Sequence, residues 1–238
     1  MMEGRILSFE SMGLVDGPGI RAVVFMQGCA LRCAFCHNPE SWVCGAGQKV
    51  TDEEVFAKIQ RFRPYFERSG GGVTFSGGEP LLQKEFVLEV FKRCKAAGIH
   101  TCLDTAGVGT GDYTELLQYT DLVLYDVKAV DADGYRKICG GDIAVTEKFQ
   151  KALRESGTET VIRQVVVPGI SDSDEYMEKL KAYIKEKIPQ AKKVELLPYH
   201  LMGLHKYKKL GIAEGLAGVP AMDKAKAQEL HRKYFENM

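Results

Sequence analysis

No stretch of this sequence stays apolar for the ~20 residues that a membrane-crossing helix needs. Its opening residues, MMEGRILSFES, also lack the apolar stretch and small-residue cleavage site of a secretory signal. A cytoplasmic protein is therefore expected. An excess of one charge is missing as well: 32 basic residues balance 32 acidic ones, so no global field draws in nucleic acid or an anionic membrane. The basic group Lys206, Lys208 and Lys209 reads more simply as a solvated face than as a phosphate track. There is no repeat of fixed period and no low-complexity linker. With 238 residues, 45% of them hydrophobic, the chain can bury a large core, and one domain over 1–238 is expected.

What is present is an alternation of β-branched apolar runs with helical patterns. Six runs read as strands: Arg21 to Gln27, Gly72 to Ser76, His100 to Asp104, Asp121 to Val127, Thr160 to Val167 and Lys193 to Leu197. Between them, Thr51 to Arg68 reads as a helix, opened by the capping box Thr51-x-x-Glu54 and closed by Gly70 to Gly72, with Pro64 weakening its last turn. Further helices are expected over Glu85 to Ala97, Asp174 to Ile188 and about Met222 to Phe235. Strand and helix in regular order imply a parallel sheet with right-handed crossovers. The fold class expected is α/β, a single-domain partial TIM barrel, (β/α)6, with a doubly wound sheet as the alternative. The barrel is favoured because each strand end runs into unusual chemistry: GCALRCAFCHN, GGEP, TAG, Lys128 and PYH.

Seven cysteines are too odd a number for a disulfide framework, and Cys29, Cys33 and Cys36 sit within a single loop after a strand. Structural zinc takes four closed ligands, usually in two pairs, and no second CxxC completes a set. A cubane iron–sulfur cluster also normally takes four thiolates. Three in one loop leave either a distant fourth, from Cys44, Cys94, Cys102 or Cys139, or an iron left open. The open iron is the more economical reading, since free cysteine packs as a small hydrophobe and an open metal position suits a chelating cofactor.

CxxxCxxC with Phe35 just before its last cysteine resembles the radical S-adenosylmethionine superfamily. DGPGIR (Asp16 to Arg21), CHNPESW (Cys36 to Trp42), GGGVTFSGGEP (Gly70 to Pro80), HTCLDT (His100 to Thr105), VVVPG (Val165 to Gly169) and ELLPYH (Glu195 to His200) together resemble, within it, the pyruvate formate-lyase-activating family. The resemblance covers nearly the whole chain. It implies a [4Fe-4S] cluster on Cys29, Cys33 and Cys36 whose fourth iron binds S-adenosylmethionine. It further implies reductive cleavage to a 5′-deoxyadenosyl radical, which takes a hydrogen from a backbone glycine of pyruvate formate-lyase under anaerobic conditions. The expected electron donor is reduced flavodoxin or ferredoxin, and the expected state a monomer.

The same resemblance suggests roles for single residues. Gly77, Gly78 and Glu79 would hold the cofactor's amino group, the glycines by close backbone approach and Glu79 as acceptor; the composition alone is that of a turn. Phe35, His37, Asp126, Val127, Lys128 and His200 would also touch the cofactor, and Asp104, Thr105 and Asp126 would coordinate a sodium or potassium ion. A helix cap and a salt bridge are the plainer account of that last group. Arg163, inside the apolar run VIRQVVV, needs an anion from cofactor or protein. Asp16, Gly17, Pro18 and Gly19, a turn by composition, would meet the glycine loop of the lyase, helped by Arg21 and Trp42.

Two rival functions remain at this level. An activator of another glycyl radical enzyme, such as a dehydratase, usually carries an inserted ferredoxin-like module, yet no cysteine lies between Cys44 and Gly77. Ribonucleotide reductase activators are typically shorter than six strand–helix units. A non-enzymatic electron carrier needs neither open iron nor cofactor pocket.

Overall fold

The computed structural model describes residues 1–236. Eight strands form one sheet: β1 (Glu3–Gly13), β2 (Arg21–Met26), β3 (Gln48–Thr51), β4 (Gly72–Gly77), β5 (His100–Thr105), β6 (Leu122–Asp126), β7 (Glu159–Val166) and β8 (Lys193–Pro198). Their spatial order is β3-β1-β2-β4-β5-β6-β7-β8. From β2 through β8 the neighbours are parallel, and these six strands are the six expected from the apolar runs. The sheet is α/β and open: β8 pairs with β7 and β3 with β1, leaving the barrel unclosed.

Strands β1 and β3 were not expected, and both pair antiparallel at one edge. Along β1 only Gly4 and Ile6 are buried, so it carries no apolar run to betray it. Backbone pairing with β2 and β3 holds it instead.

Nine helices lie among the described residues: α1 (Asp52–Gln60), α2 (Arg63–Ser69), α3 (Lys84–Ala96), α4 (Thr114–Gln118), α5 (Ala132–Cys139), α6 (Glu147–Ser156), α7 (Asp174–Lys187), α8 (Leu204–Leu210) and α9 (Lys224–Phe235). The single helix expected over Thr51 to Arg68 is in fact two. Thr51 caps α1 through the reciprocal box with Glu54, as the spacing predicted. Pro64 has no N–H to give to a preceding turn, so α1 ends at Gln60 and Pro64 sits in the first turn of α2, where the missing donor costs nothing. The other three expected helices are α3, α7 and α9, with ends shifted by one or two residues.

The alternation along each strand sorts two faces. Phe75, Leu103, Val123, Tyr125 and Ile162 face the helices and join one large core with Val90, Phe91, Phe149 and Leu180. Phe75 meets Phe86 and Phe91 edge-on, at ring distances of 6.3 and 5.4 Å. The intervening residues face the concave side. There Cys102, Leu122 and Leu124 form a small separate apolar cluster with Val161, and beyond it come Ser76, Asp104, Asp126 and Arg163 around a cavity. The concave face is thus apolar in its middle and charged toward the strands' C-terminal ends.

Candidate active site

The loop after β2 is held from three sides. Gly28 N–H donates to Ser41 O at 2.7 Å, Glu79 N–H to Gly28 O at 2.8 Å, and Arg32 and Ala34 N–H to the carbonyls of Cys139 and Ile138 at 2.9 and 2.7 Å. Tyr207 donates its hydroxyl to Cys36 O at 2.8 Å. So fixed, Cys29, Cys33 and Cys36 line one cavity of about 250 Å3. All three are free thiols. Burial pushes Cys29 up to about 12 and raises Cys36. Cys33 is raised too, by its contact with Cys139 and by burial. These sulfurs therefore stay protonated without metal, and binding iron must release their protons.

Among the described residues no three His, Cys, Asp or Glu side chains converge as a single metal ion requires. The trio rings a cavity, and a donor set of sulfur alone is iron–sulfur chemistry. The three cysteines therefore fit a cluster. The other candidate ligands lie elsewhere: Cys44 is exposed, Cys94 is buried in α3, and Cys102 belongs to the apolar cluster on the concave face. Cys139 is the exception, with its sulfur 3.6 Å from that of Cys33.

Around the thiols stand charges of both signs. Lys128 Nζ lies 2.7 Å from Asp126 Oδ2 and 5.7 Å from the centre of the Phe35 ring. Burial works against the Lys128 charge, but Asp126 overcomes it and holds the ammonium well above its ordinary range. Arg163 reaches Asp104 at 3.5 Å and Glu195 at 3.4 Å, and donates to Val15 O at 2.5 Å. The anion that its position demanded is thus supplied by the protein. Ser76 donates to Asp104 Oδ2 at 2.6 Å. Asp104 Oδ1 is buried with no partner, and burial, with Asp126 close by, lifts the Asp104 carboxyl to about 6. An orphaned carboxylate oxygen beside paired cations is a fitting environment for a ligand bearing both an ammonium and a carboxylate.

The Glu79 side chain lines the cavity together with the cysteines. It takes hydrogen bonds from Leu81 N–H (3.1 Å), Thr105 Oγ1 (2.5 Å) and Ala106 N–H (3.0 Å). Thr105 lines the cavity with Asp104 and Asp126, its hydroxyl bound to Glu79. The GGE loop also brings its glycine backbone to the cavity. Gly77 adopts φ 102°, open to glycine alone, and a Cβ on Gly78 would run into the Gly28 carbonyl.

His37 and His200 stack at 3.8 Å, and His37 Nε2 lies 3.2 Å from His200 O. Burial and the second ring lower the His37 pKa, and His200 Nδ1 is buried without a partner. Val127 is buried in the strand-end turn, its N–H donating to Arg163 O at 2.8 Å. The cavity shares Phe35, Lys128 and Val165 with a neighbouring cleft of about 720 Å3.

The Asp16-Gly17-Pro18-Gly19 loop enters from the opposite end, before β2 begins. Thr74 donates to Asp16 O at 2.6 Å, and the Asp16 side chain lines the same cavity as the cysteines. Leu14 and Val15 beside it are 72% and 76% exposed. With Pro18 they border a further cavity of about 520 Å3, lined from the sheet by Leu122, Leu124, Val161 and Arg163. Arg21 does not join this surface. It is sealed at 0% exposure, giving hydrogen bonds to Thr74 Oγ1 (3.0 Å), Val73 O and Pro18 O, so it anchors the loop from below. Trp42 packs behind the cysteine loop, under the Arg32 guanidinium at 5.1 Å and edge-on to Tyr207. Ser76 and Glu195 were not singled out from sequence, and Cys139 only as one of four alternative ligands; Ser76 carried a signal, as the inward partner two residues beyond Thr74.

An open parallel half-barrel with three thiols in the loop after its first parallel strand defines a class. The sequence pattern of the Radical SAM superfamily matches residues 23–180, and the chain belongs to that superfamily. Within it the chain belongs to the pyruvate formate-lyase-activating enzyme family. The enzyme of that name from Clostridium pasteurianum is 53% identical over 238 residues, covering 100% of this chain and 99% of the relative. Its namesake from Staphylococcus epidermidis is 44% identical over 98% of this chain and 95% of its own. Among solved structures, a domain of pyruvate-formate lyase-activating enzyme from Bacteroides vulgatus aligns with TM-score 0.53 at 24% identity, over 68% of this chain and 92% of that one. SuiB of Streptococcus suis bound to precursor peptide SuiA aligns with TM-score 0.66 at 16% identity, over 89% of this chain and 44% of its own. These two share the fold. No helix among the described residues is long and apolar enough to cross a membrane.

Proposed function

We propose that this chain is a radical S-adenosylmethionine activase that installs the glycyl radical of pyruvate formate-lyase. The observation that carries the reading is the meeting, in one cavity, of Cys29, Cys33 and Cys36 with Asp16 from the far side of the barrel. When bound, a [4Fe-4S] cluster with S-adenosylmethionine supplies one-electron cleavage of the sulfonium to methionine and a 5′-deoxyadenosyl radical, which abstracts hydrogen from a glycine.

The chain's own residues do the remaining work. Cys29, Cys33 and Cys36 hold the cluster. Gly77 and Gly78 approach the cofactor with bare backbone, and Glu79 beside them accepts from its ammonium group. Asp126, Lys128 and Arg163 set the charges around its amino-acid end, with Val127 fixing the strand-end turn. Phe35, His37 and His200 offer flat faces for its adenine. Asp16 to Gly19 receive the glycine loop of the lyase, a role supported by the exposed Leu14 and Val15 and the cavity behind them. A buried site of this kind excludes water and competing hydrogen donors.

A monovalent cation beside Asp104 and Asp126 belongs to the same proposal, supported by the unpaired Asp104 Oδ1. So do a reduced flavodoxin or ferredoxin as electron donor, a cytoplasmic monomer, and a single radical S-adenosylmethionine domain over 1–238. The test is anaerobic incubation of the reconstituted protein with pyruvate formate-lyase, S-adenosylmethionine and a low-potential reductant. A glycyl doublet in the electron paramagnetic resonance spectrum is expected; cofactor cleavage without that doublet would assign the chain to a different glycyl radical enzyme.

A further inference from the structure

Cys139 has no part in the site as read so far. It ends α5, is completely buried, and its sulfur lies 3.6 Å from that of Cys33. The approach is built by backbone. Gly140, at φ 69°, stops the helix, and the carbonyls of Ile138 and Cys139 accept the N–H groups of Ala34 and Arg32, the two residues flanking Cys33. One helix end is thereby zipped to the cysteine loop on both sides of the sulfur it touches.

Between two free thiols the shared hydrogen belongs to either sulfur. Once Cys33 serves as an iron ligand it is a thiolate and has no hydrogen to give. Only Cys139 can then donate. We propose that Cys139 is a positioning residue whose S–H donates to the Cys33 thiolate and raises the reduction potential of the cluster. This rests on the reading of Cys29, Cys33 and Cys36 as its ligands. Reduction adds charge that spreads over the ligand sulfurs, so a donor there stabilises the reduced form more than the oxidised one. The contact is shielded from water, which strengthens it, while the weakness of S–H as a donor keeps the effect modest. Cys36 has a comparable donor in Asn38 N–H, at 3.4 Å, but that one is backbone, whereas the donor to Cys33 is a side chain.

The experiment compares the reconstituted holoenzyme with Cys139→Ala and Cys139→Ser, without lyase or S-adenosylmethionine, by redox titration followed through the cluster's paramagnetic resonance signal. Cys139→Ala is expected to lower the reduced-to-oxidised ratio at fixed potential about three- to tenfold, roughly 30–60 mV for a one-electron couple. Cys139→Ser, which keeps a donor, is expected not to fall. An unchanged midpoint in Cys139→Ala with full iron and sulfide content overturns the proposal, as does a Cys139→Ser midpoint as low as that of Cys139→Ala. Loss of the cluster from Cys139→Ala overturns it as well, by making Cys139 a ligand. Failure of the underlying ligand reading shows separately, as a cluster retained in Cys33→Ala.

Discussion

Glu79 sets burial against hydrogen bonding on one carboxyl group, and the outcome is measurable. Burial lifts it to about 7 from an ordinary 4.5, even though Thr105, Leu81 and Ala106 all donate to it. Because the folded chain holds this proton to higher pH than the unfolded chain, the stability it contributes is complete below pH 4.5 and is lost as pH rises through about 7. That interval, at about 1.36 kcal/mol per pH unit, amounts to about 3 kcal/mol. Asp104, lifted to about 6, has the same sign. The quantity to measure is therefore the difference between the unaltered chain and Glu79→Gln, which keeps the shape and cannot ionise. Urea unfolding of the cluster-free chain, followed by circular dichroism under reducing conditions from pH 4.5 to 8, supplies it. Relative to Glu79→Gln, the unaltered chain should lose about 3 kcal/mol across that range. A flat or rising difference would refute the argument, since it would mean that three donors outweigh burial and keep the carboxylate ionised.

Cys29→Ala, Cys33→Ala and Cys36→Ala should each abolish S-adenosylmethionine cleavage after anaerobic reconstitution, whereas Cys44→Ala, at an exposed position outside the cavity, should cleave at near the normal rate; product chromatography with iron content checks both. Gly78→Ala places a Cβ against the Gly28 carbonyl and pushes the glycine-rich loop off the cysteine loop. Its expected effect is at least a tenfold weaker affinity for S-adenosylmethionine, equivalent to about 1.4 kcal/mol. Equilibrium dialysis of the reconstituted protein reads it, and unchanged affinity would show that the loop does not approach the cofactor by backbone.

The six parallel strands were legible because each is an apolar run bounded by glycine or polar residues, and strands buried on both faces leave that signature. Strand β1 was not, since antiparallel pairing needs only backbone and its side chains are mostly polar or half exposed. The cysteine trio was legible because its ligands are contiguous. The motif places Glu79 in the cavity loop without saying which protein donors meet its carboxylate; they include Thr105 and Ala106, on another strand end. Arg21 was expected to help the Asp16 to Gly19 loop meet the lyase, yet β2 and β4 pair Arg21 with Gly72 and so bring its side chain to Thr74 inside the barrel.

Sequence by itself determined the order of the six parallel strands, the end of the sheet that carries the chemistry, and the three sulfurs, since all of these are written in spacing over a few residues. Only the tertiary structure decided that Asp16 reaches the thiols from the opposite end, that Asp104 keeps a carboxylate oxygen unpaired, and that Cys139 touches Cys33 across 106 positions of chain. Such contacts follow from strand register and from which face of each strand turns inward, and no local pattern of residues encodes either.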